Sequence, residues 1–278
     1  MRRLCNPENP GQYWVRAPSS GDQMDKLISS MFQAADGIVI LAGAGMGVDS
    51  GLPDFRGNDG MWTKAKEDFV ARATARGFDD DPVPAWNFYI NRIIQYRDVQ
   101  PHDGYHQLLR AMLDHGKDYF VMTSNVDGHF HKAGYDPDRI HEIHGDLRHA
   151  QCNQPCTRDV YPMPAFTAAL ASADEIPRCP RCQHILRPNV MMFSDSSLVW
   201  KNIDHGEDRY RAWAAPKMNL LGIEIGAGTV IPSIRYFGEE RTAALIRINP
   251  HESEPSRRQD VGIAATALAG IGMLVDML

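Results

Sequence analysis

Gly37-Ile38-Val39-Ile40-Leu41-Ala42-Gly43-Ala44-Gly45-Met46-Gly47-Val48-Asp49-Ser50-Gly51-Leu52-Pro53-Asp54-Phe55-Arg56 runs from an unbroken apolar segment straight into closely spaced glycines. The apolar part predicts a buried parallel strand, since a strand covered on both faces shows no polar alternation. Glycines at the end of such a strand let backbone N–H groups approach a pyrophosphate, where a Cβ would stand in the way. The spacing Gly-x-Gly-x-Gly is not the Gly-x-Gly-x-x-Gly of the common dinucleotide fingerprint, and no strand-end acid for a ribose follows it. Pro53-Asp54-Phe55-Arg56 adds a turn former, an acid, an aromatic ring and a cation, which is more than phosphate binding alone requires.

Three further apolar runs stop in the same manner. Tyr119–Thr123 ends in Ser124-Asn125-Val126-Asp127-Gly128, Leu220–Ile225 in Gly226-Ala227-Gly228, and Leu245–Ile248 in Asn249-Pro250. Ligands of open parallel sheets sit beyond the carboxyl ends of the strands. A site is therefore predicted from loops 43–57, 124–130, 226–232 and 249–252. Helical spacing over Met24–Ala35, Ala85–Tyr96 and Tyr105–Leu113 supplies covering helices, and the apolar tail from Val261 is predicted as another. The expected class is α/β, a Rossmann-like parallel sheet with helices on both faces plus a small zinc-binding module. Residues 1–20 read as an irregular leader and 21–278 as the catalytic part. Within it, Rossmann-like segments fall at about 21–57, 101–147 and 190–278, a helical insertion at about 58–100 and the module at about 148–189.

Among 278 residues, 43% are hydrophobic and 23% charged, so the chain can bury a sizeable core. A net charge of -6 argues against a general nucleic-acid binder. No apolar run approaches the roughly 18 residues of a membrane span. Met1-Arg2-Arg3-Leu4-Cys5-Asn6-Pro7 carries two arginines with no apolar segment behind them, which predicts no secretory signal, a cytoplasmic location and reduced cysteines.

Cys152 and Cys156 form Cys-x-x-x-Cys, and Cys179 and Cys182 form Cys-x-x-Cys. Two close pairs in a reduced chain predict one structural zinc ion held by four thiolates, with unliganded thiols as the alternative. Cys5 is left over.

Together these motifs resemble the sirtuins, the NAD-dependent protein deacylases, over roughly residues 25–275. The signature Gly-Ala-Gly-Ile-Ser-x-x-Ser-Gly-Ile-Pro-Asp-Phe-Arg is matched by Gly43 to Arg56, with Gly47 in place of serine. Thr-Gln-Asn-Ile-Asp-Gly-Leu-His is matched by Thr123 to Phe130, and Glu-x-His-Gly by Glu142-Ile143-His144-Gly145. Arg187-Pro188-Asn189-Val190-Met191-Met192-Phe193 is similar to the strand on the substrate side.

The resemblance implies that NAD is consumed as a co-substrate. The nicotinamide–ribose bond breaks, the acyl oxygen of a modified lysine attacks the ribose, and nicotinamide and O-acyl-ADP-ribose result. It implies His144 as the base that activates the ribose 2′-hydroxyl, a role suited to a group that titrates near working pH. Asn125 and Asp127 would hold the ribose and the nicotinamide amide. Gly43, Ala44, Gly45, Met46, Asp54, Phe55, Arg56, Ser124, Gly226, Ala227, Gly228 and Asn249 would complete the cofactor site, with Phe55 excluding water. Val190 and Phe193 fall on the substrate strand. Tyr89-Ile90-Asn91-Arg92 gives a Tyr-x-x-Arg pair, which in the subclass that removes malonyl and succinyl groups binds the acyl carboxylate. The partner implied is an acylated protein or peptide, with no nucleic acid and no membrane.

Several positions depart from the pattern. Ser124 replaces glutamine, Phe130 replaces histidine with His129 one place earlier, Phe193-Ser194-Asp195 replaces Phe-Gly-Glu, and Glu224 to Pro232 replaces the Gly-Thr-Ser segment. Glu224 to Pro232 and Thr123 to Asp127 resemble a divergent bacterial branch that includes protein ADP-ribosyltransferases. Three alternatives to deacylation stay open: ADP-ribosyl transfer, NAD hydrolysis and a non-catalytic NAD or ADP-ribose sensor.

Overall fold

The computed structural model describes residues 21–53 and 73–278. The leader, Cys5, Asp54, Phe55, Arg56 and the first part of the helical insertion lie outside the described residues. In chain order the strands are β1 (Gly37–Ala42), β2 (Tyr119–Thr123), β3 (Ile140–Glu142), β4 (Gly145–Cys152), β5 (Tyr161–Pro162), β6 (Leu186–Val190), β7 (Leu220–Ile225), β8 (Ala244–Ile248) and β9 (Val261–Ile263). The helices are α1 (Gly21–Ala34), α2 (Ala75–Asp80), α3 (Pro82–Asp98), α4 (Asp103–Asp114), α5 (His129–Lys132), α6 (Lys201–Ala214), α7 (Ser233–Arg241) and α8 (Ala267–Asp276). A 3-10 turn, Ala44–Ser50, follows β1.

Six strands form one sheet in the order β3-β2-β1-β7-β8-β9, and every pairing is parallel. Strands proceed outward from β1 on one side and from β7 on the other, so the winding reverses between them. That reversal opens a crevice at the carboxyl ends of β1 and β7. Alternate residues of β1 serve opposite faces, as strand periodicity requires. Ile38 and Ile40 pack in a core with Ile28 and Phe32 of α1, Leu108 and Met112 of α4, and Ile271 and Leu274 of α8. Val39 and Leu41 pack with Phe120, Met122, Tyr210 and Trp213 of α6, and Ile234 of α7.

A second, antiparallel sheet has the order β5-β4-β6. Helix α3 starts at Pro82 behind Asp81, where a missing N–H costs nothing. Trp86, Tyr89 and Ile90 on it share a core with Leu147, Ala150, Leu186 and Val190. The Trp86 indole N–H donates to the Leu186 carbonyl at 3.0 Å. Lys132 Nζ donates to the carbonyls of Tyr96, Arg97 and Val99 at 2.5, 2.8 and 2.8 Å, closing the carboxyl end of α3 as a cation does well.

The chain tail differs from the expected helix. Val261–Ile263 is the edge strand β9, and the helix begins only at Ala267 after Thr266. The open edge of β8 needs hydrogen-bond partners. Gly262 also passes so near the Ser253 carbonyl that a Cβ there would collide with it. Strand β3 went unread because Ile140-His141-Glu142 is short and mostly polar.

Candidate active site

The glycine-rich ends of β1 and β7 meet backbone on backbone. Gly43 N–H donates to Ile225 O and Gly45 N–H to Gly226 O, both at 3.0 Å. A Cβ on Gly43 would fall 2.6 Å from Ala227 Cα, and one on Gly45 2.8 Å from Gly226 Cα. These glycines seat one strand-end loop on the other. Gly226, at φ +62, needs the left-handed backbone that glycine adopts freely. Gly228 is exposed, and its nearest neighbour on the Cβ side is Glu252 Oε2 at 3.9 Å. At Gly47 a Cβ would stand 3.2 Å from Leu52 Cδ1 and 3.6 Å from Asp127 Oδ2. The glycine in place of serine thus spares a tight contact with Leu52 and leaves ordinary contact distance to Asp127.

The end of β2 is tied into the same floor. Thr123 Oγ1 and Ser124 N–H both donate to Ala42 O at 3.1 Å. Asn125 N–H donates to Thr123 Oγ1 at 3.0 Å, and its Nδ2 donates to Gly43 O at 2.9 Å. Asp127 Oδ1 accepts the His129 N–H at 2.8 Å. Burial pushes the Asp127 carboxyl up to about 6, against the pull of that N–H and of Lys132. A desolvated carboxylate at a strand end is a common mark of a functional site.

On the β7–β8 side, Asn249 Nδ2 donates to Ala227 O at 3.1 Å, and its Oδ1 accepts the His251 and Glu252 N–H groups at 2.9 Å. Two residues that the sequence reading missed complete this corner. Arg235 donates through Nε and NH2 to Ala227 O at 3.1 and 3.0 Å. Glu252 accepts the Thr229 hydroxyl at 2.6 Å and its N–H at 3.0 Å. The signal was present in the spacing of Asn249 and Glu252 on one short loop.

His144 lies in the turn between β3 and β4. Ile143 N–H donates to Thr123 O at 2.9 Å, and His144 O accepts the Met191 N–H at 2.8 Å. The histidine is thereby joined to the β2 end on one side and to the segment after β6 on the other. Gly145 follows at φ +77, packed on the Asn189 carbonyl where no Cβ fits. Burial holds the His144 imidazole below the ordinary histidine value, opposed by a backbone hydrogen bond at Ser124.

Of the substrate-side residues, Val190 is buried, and its backbone pairs with Gly145. Phe193 N–H donates to Ala73 O at 3.0 Å. Met191, between them, is 41% exposed. The aspartate of Phe193-Ser194-Asp195 faces inward. Arg187 NH2 donates to both Asp195 oxygens at 2.9 and 2.8 Å, with both side chains almost fully buried. Tyr89 is buried, which drives its hydroxyl pKa well upward, with the Arg92 and Arg187 charges pulling back. The Arg92 guanidinium stacks 3.6 Å from the Phe88 ring centroid and donates to Phe88 O at 2.8 Å. Burial lowers the Arg92 pKa, against the pull of Tyr96 and Tyr89. Arg92 is half-buried.

The four cysteines converge. All four Sγ atoms lie within 4.8 Å of one another. The Cys152–Cys182 and Cys156–Cys179 separations are both 3.6 Å. Zn–S bonds of about 2.3 Å in a tetrahedron place sulfurs about 3.8 Å apart, so the set fits zinc.

A parallel sheet with a switch-point crevice, a half-buried histidine at its rim and a four-thiolate module beyond defines a dinucleotide-site protein with a structural metal unit. The profile of the Sir2 family matches residues 43–212. The chain is 30% identical over 244 residues to an NAD-dependent protein deacylase of Aquifex aeolicus (strain VF5), covering 87% of this chain and 95% of the relative. It is 32% identical over 180 residues to an NAD-dependent protein deacetylase of Chromobacterium violaceum, covering 64% and 69%. Among solved structures, a mutant Sir2 homologue bound to ADP-ribose matches with a TM-score of 0.71 at 26% identity, covering 91% of this chain and 95% of the other. A Sir2 homologue bound to NAD matches with a TM-score of 0.68 at 26% identity, covering 91% and 92%. This chain belongs to the Sir2 family. Among the described residues no helix is long and apolar enough to cross a membrane.

Proposed function

We propose that this protein is an NAD-dependent protein-lysine deacylase. The observation that carries the reading is the seat of His144. It is desolvated, linked through Ile143 to the end of β2, and bonded through its own carbonyl to the segment after β6. NAD bound at the crevice supplies, with loss of nicotinamide, an electrophilic ribose carbon for the acyl oxygen. Asn125 and Asp127 would orient the ribose and carboxamide with fixed hydrogen bonds, and Asn249 with the Gly226–Gly228 loop would hold the adenosine side. His144, neutral at working pH, would take the proton from the ribose 2′-hydroxyl. Val190 and Phe193 would flank the acyl-lysine through their backbone. The four cysteines would hold the structural zinc. The reaction partner is an acylated protein or peptide, and the compartment we infer is the cytoplasm. Incubation with NAD and acetyl-, succinyl- and lipoyl-lysine peptides should yield nicotinamide and O-acyl-ADP-ribose. ADP-ribose attached to protein, free ADP-ribose alone or unchanged NAD would each overturn the reading in favour of transfer, hydrolysis or sensing.

Within that activity, the Tyr89–Arg92 pair favours acidic acyl groups. Tyr89 lies in the core shared with β6, and Arg92, one turn further along α3, packs its guanidinium on Phe88 at the margin of that core. A cation partly stripped of water there would pair with an acyl carboxylate more strongly than one in solvent. Arg92→Met should cut kcat/KM for succinyl-lysine peptide by about 10-fold or more, while the acetyl peptide changes by less than about 3-fold. Equal activity of variant and wild type on the succinyl peptide would end this reading.

A further inference from the structure

Glu142 and Asp146 bracket His144 at equal distance along the chain, and one side chain joins them. Arg148 NH2 donates to Glu142 Oε2 at 2.5 Å, and Arg148 Nε donates to Asp146 Oδ1 at 3.2 Å. The Asp146 Oδ1 also accepts the Arg148 backbone N–H at 2.7 Å. The two carboxylates are 11% and 5% exposed, and the guanidinium is 43% exposed. Neither acid touches Arg148 alone. His131 Nε2 lies 3.5 Å from Glu142 Oε2, and His149 Nδ1 lies 2.9 Å from both Asp146 oxygens. The Arg148 stem runs 3.7 Å from where a Gly128 Cβ would be, at the end of the Asn125–Asp127 loop.

We propose that Arg148 is a positioning residue for His144, stapling the two ends of the 142–146 turn so that the imidazole faces the Asn125–Asp127 loop. The other restraints on the turn are backbone ones, through the pairing of Glu142 with Thr123 and of Gly145 with Val190. Its middle holds a left-handed glycine and two backbone hydrogen bonds, Ile143 N–H to Thr123 O and Met191 N–H to His144 O, neither of which involves the imidazole. Without the bridge, Glu142 and Asp146 are two desolvated carboxylates on the same side of a short turn. Their repulsion would spread the ends and swing the base. A misplacement of about 1 Å at a reacting group can cost about 100-fold in rate. A cavity of about 160 Å³ opens beside the staple, lined by His131, Glu142, Asp146, Arg148, His149 and Arg209 among others. A small planar cation can enter from that side.

The inference rests on the reading of His144 as the base, and its test separates the two. In Arg148→Met, kcat for deacylation should fall about 10- to 100-fold, with KM for NAD and for acyl peptide within about 3-fold of wild type. Arg148→Lys should recover most of kcat. In Arg148→Ala, millimolar guanidinium should restore activity through the cavity, with no such gain in wild type. Calorimetric melting identifies any variant that has lost its fold, and the guanidinium rescue is read only on folded protein. Unchanged kcat in Arg148→Met, or a lysine variant and a guanidinium titration that restore nothing, would overturn the staple. His144→Ala run alongside assigns the failure. If it is inactive while Arg148→Met is normal, only the staple is wrong. If it is fully active, the base assignment is wrong.

Discussion

His144→Ala should cut O-acyl-ADP-ribose formation by about 100-fold or more while leaving NAD binding within about 3-fold of wild type. The side chain stands at the rim of the crevice, not in its floor. The floor is main chain from Gly43, Gly45 and Gly226, tied by Asn125 Nδ2 and Thr123 Oγ1. Removing the imidazole therefore deletes a proton acceptor without moving the loops that grip the cofactor. General-base catalysis is worth about 100- to 10,000-fold, so kcat should fall by that range. The pH dependence follows from burial. A base must be unprotonated, and desolvation disfavours the imidazolium, so the His144 pKa lies below the ordinary histidine value of 6.5. Deacylation by the wild type should therefore persist as pH falls through 6.5 and decline only below it. An acid limb above that value, or an alanine variant with wild-type kcat, would remove His144 from the base role. Isothermal titration with NAD and a pH series on one acyl peptide provide both measurements.

The strand-end loops were readable in the sequence because each combines an apolar run with a polar or small stop, and parallel-sheet geometry sends all such stops to one edge. His144 was named only through the resemblance of Glu142-Ile143-His144-Gly145 to a family motif, since the short strand before it was not legible. The order β3-β2-β1-β7-β8-β9 was not readable, since nothing local in Leu220–Ile225 states that it lies beside Gly37–Ala42. The purpose of Gly43 and Gly45 was read only in part. Their spacing signals close approach, but only the pairing of β1 with β7 shows that the neighbour is Gly226-Ala227. Arg148 on β4 and Arg235 on α7 escaped because a charged residue on a strand or helix has the same sequence signature whether it is solvated or bridges other groups. Glu224 illustrates the point. It sits in an apolar strand, fully buried, where it pairs with Arg247 at 2.6 and 3.1 Å, and only the neighbouring strand supplies that partner.

Loss of zinc should disable the enzyme through the same turn that holds His144. The cysteine pairs sit at the end of β4 and in the loop before β6, so the metal ties together the outer ends of the two strands with the most extensive contact in the small sheet. At their inner ends those strands carry Gly145 paired with Val190, and His144 O bonded to Met191 N–H. Without the metal, four thiols crowd at 3.6 Å contacts with little to hold them. Structural zinc contributes about 10–16 kcal/mol in zinc-finger peptides. Here part of the module is held by apolar packing of Trp86, Tyr89 and Ile90 on Leu147 and Leu186, so the loss should be smaller but still several kcal/mol. At about 2–4 °C per kcal/mol for a chain of this size, that is a fall in melting temperature of about 10 °C or more. Cys179→Ser is the cleaner variant, because Cys179 is fully buried and its thiol also neighbours the Tyr161 hydroxyl at 3.8 Å. The wild-type chain should bind one equivalent of zinc. Cys179→Ser should bind less, melt lower and lose deacylation more than NAD affinity, because the crevice floor belongs to the other sheet. A metal-free wild-type chain that keeps both its melting temperature and its deacylation rate would show that the four sulfurs are packed thiols.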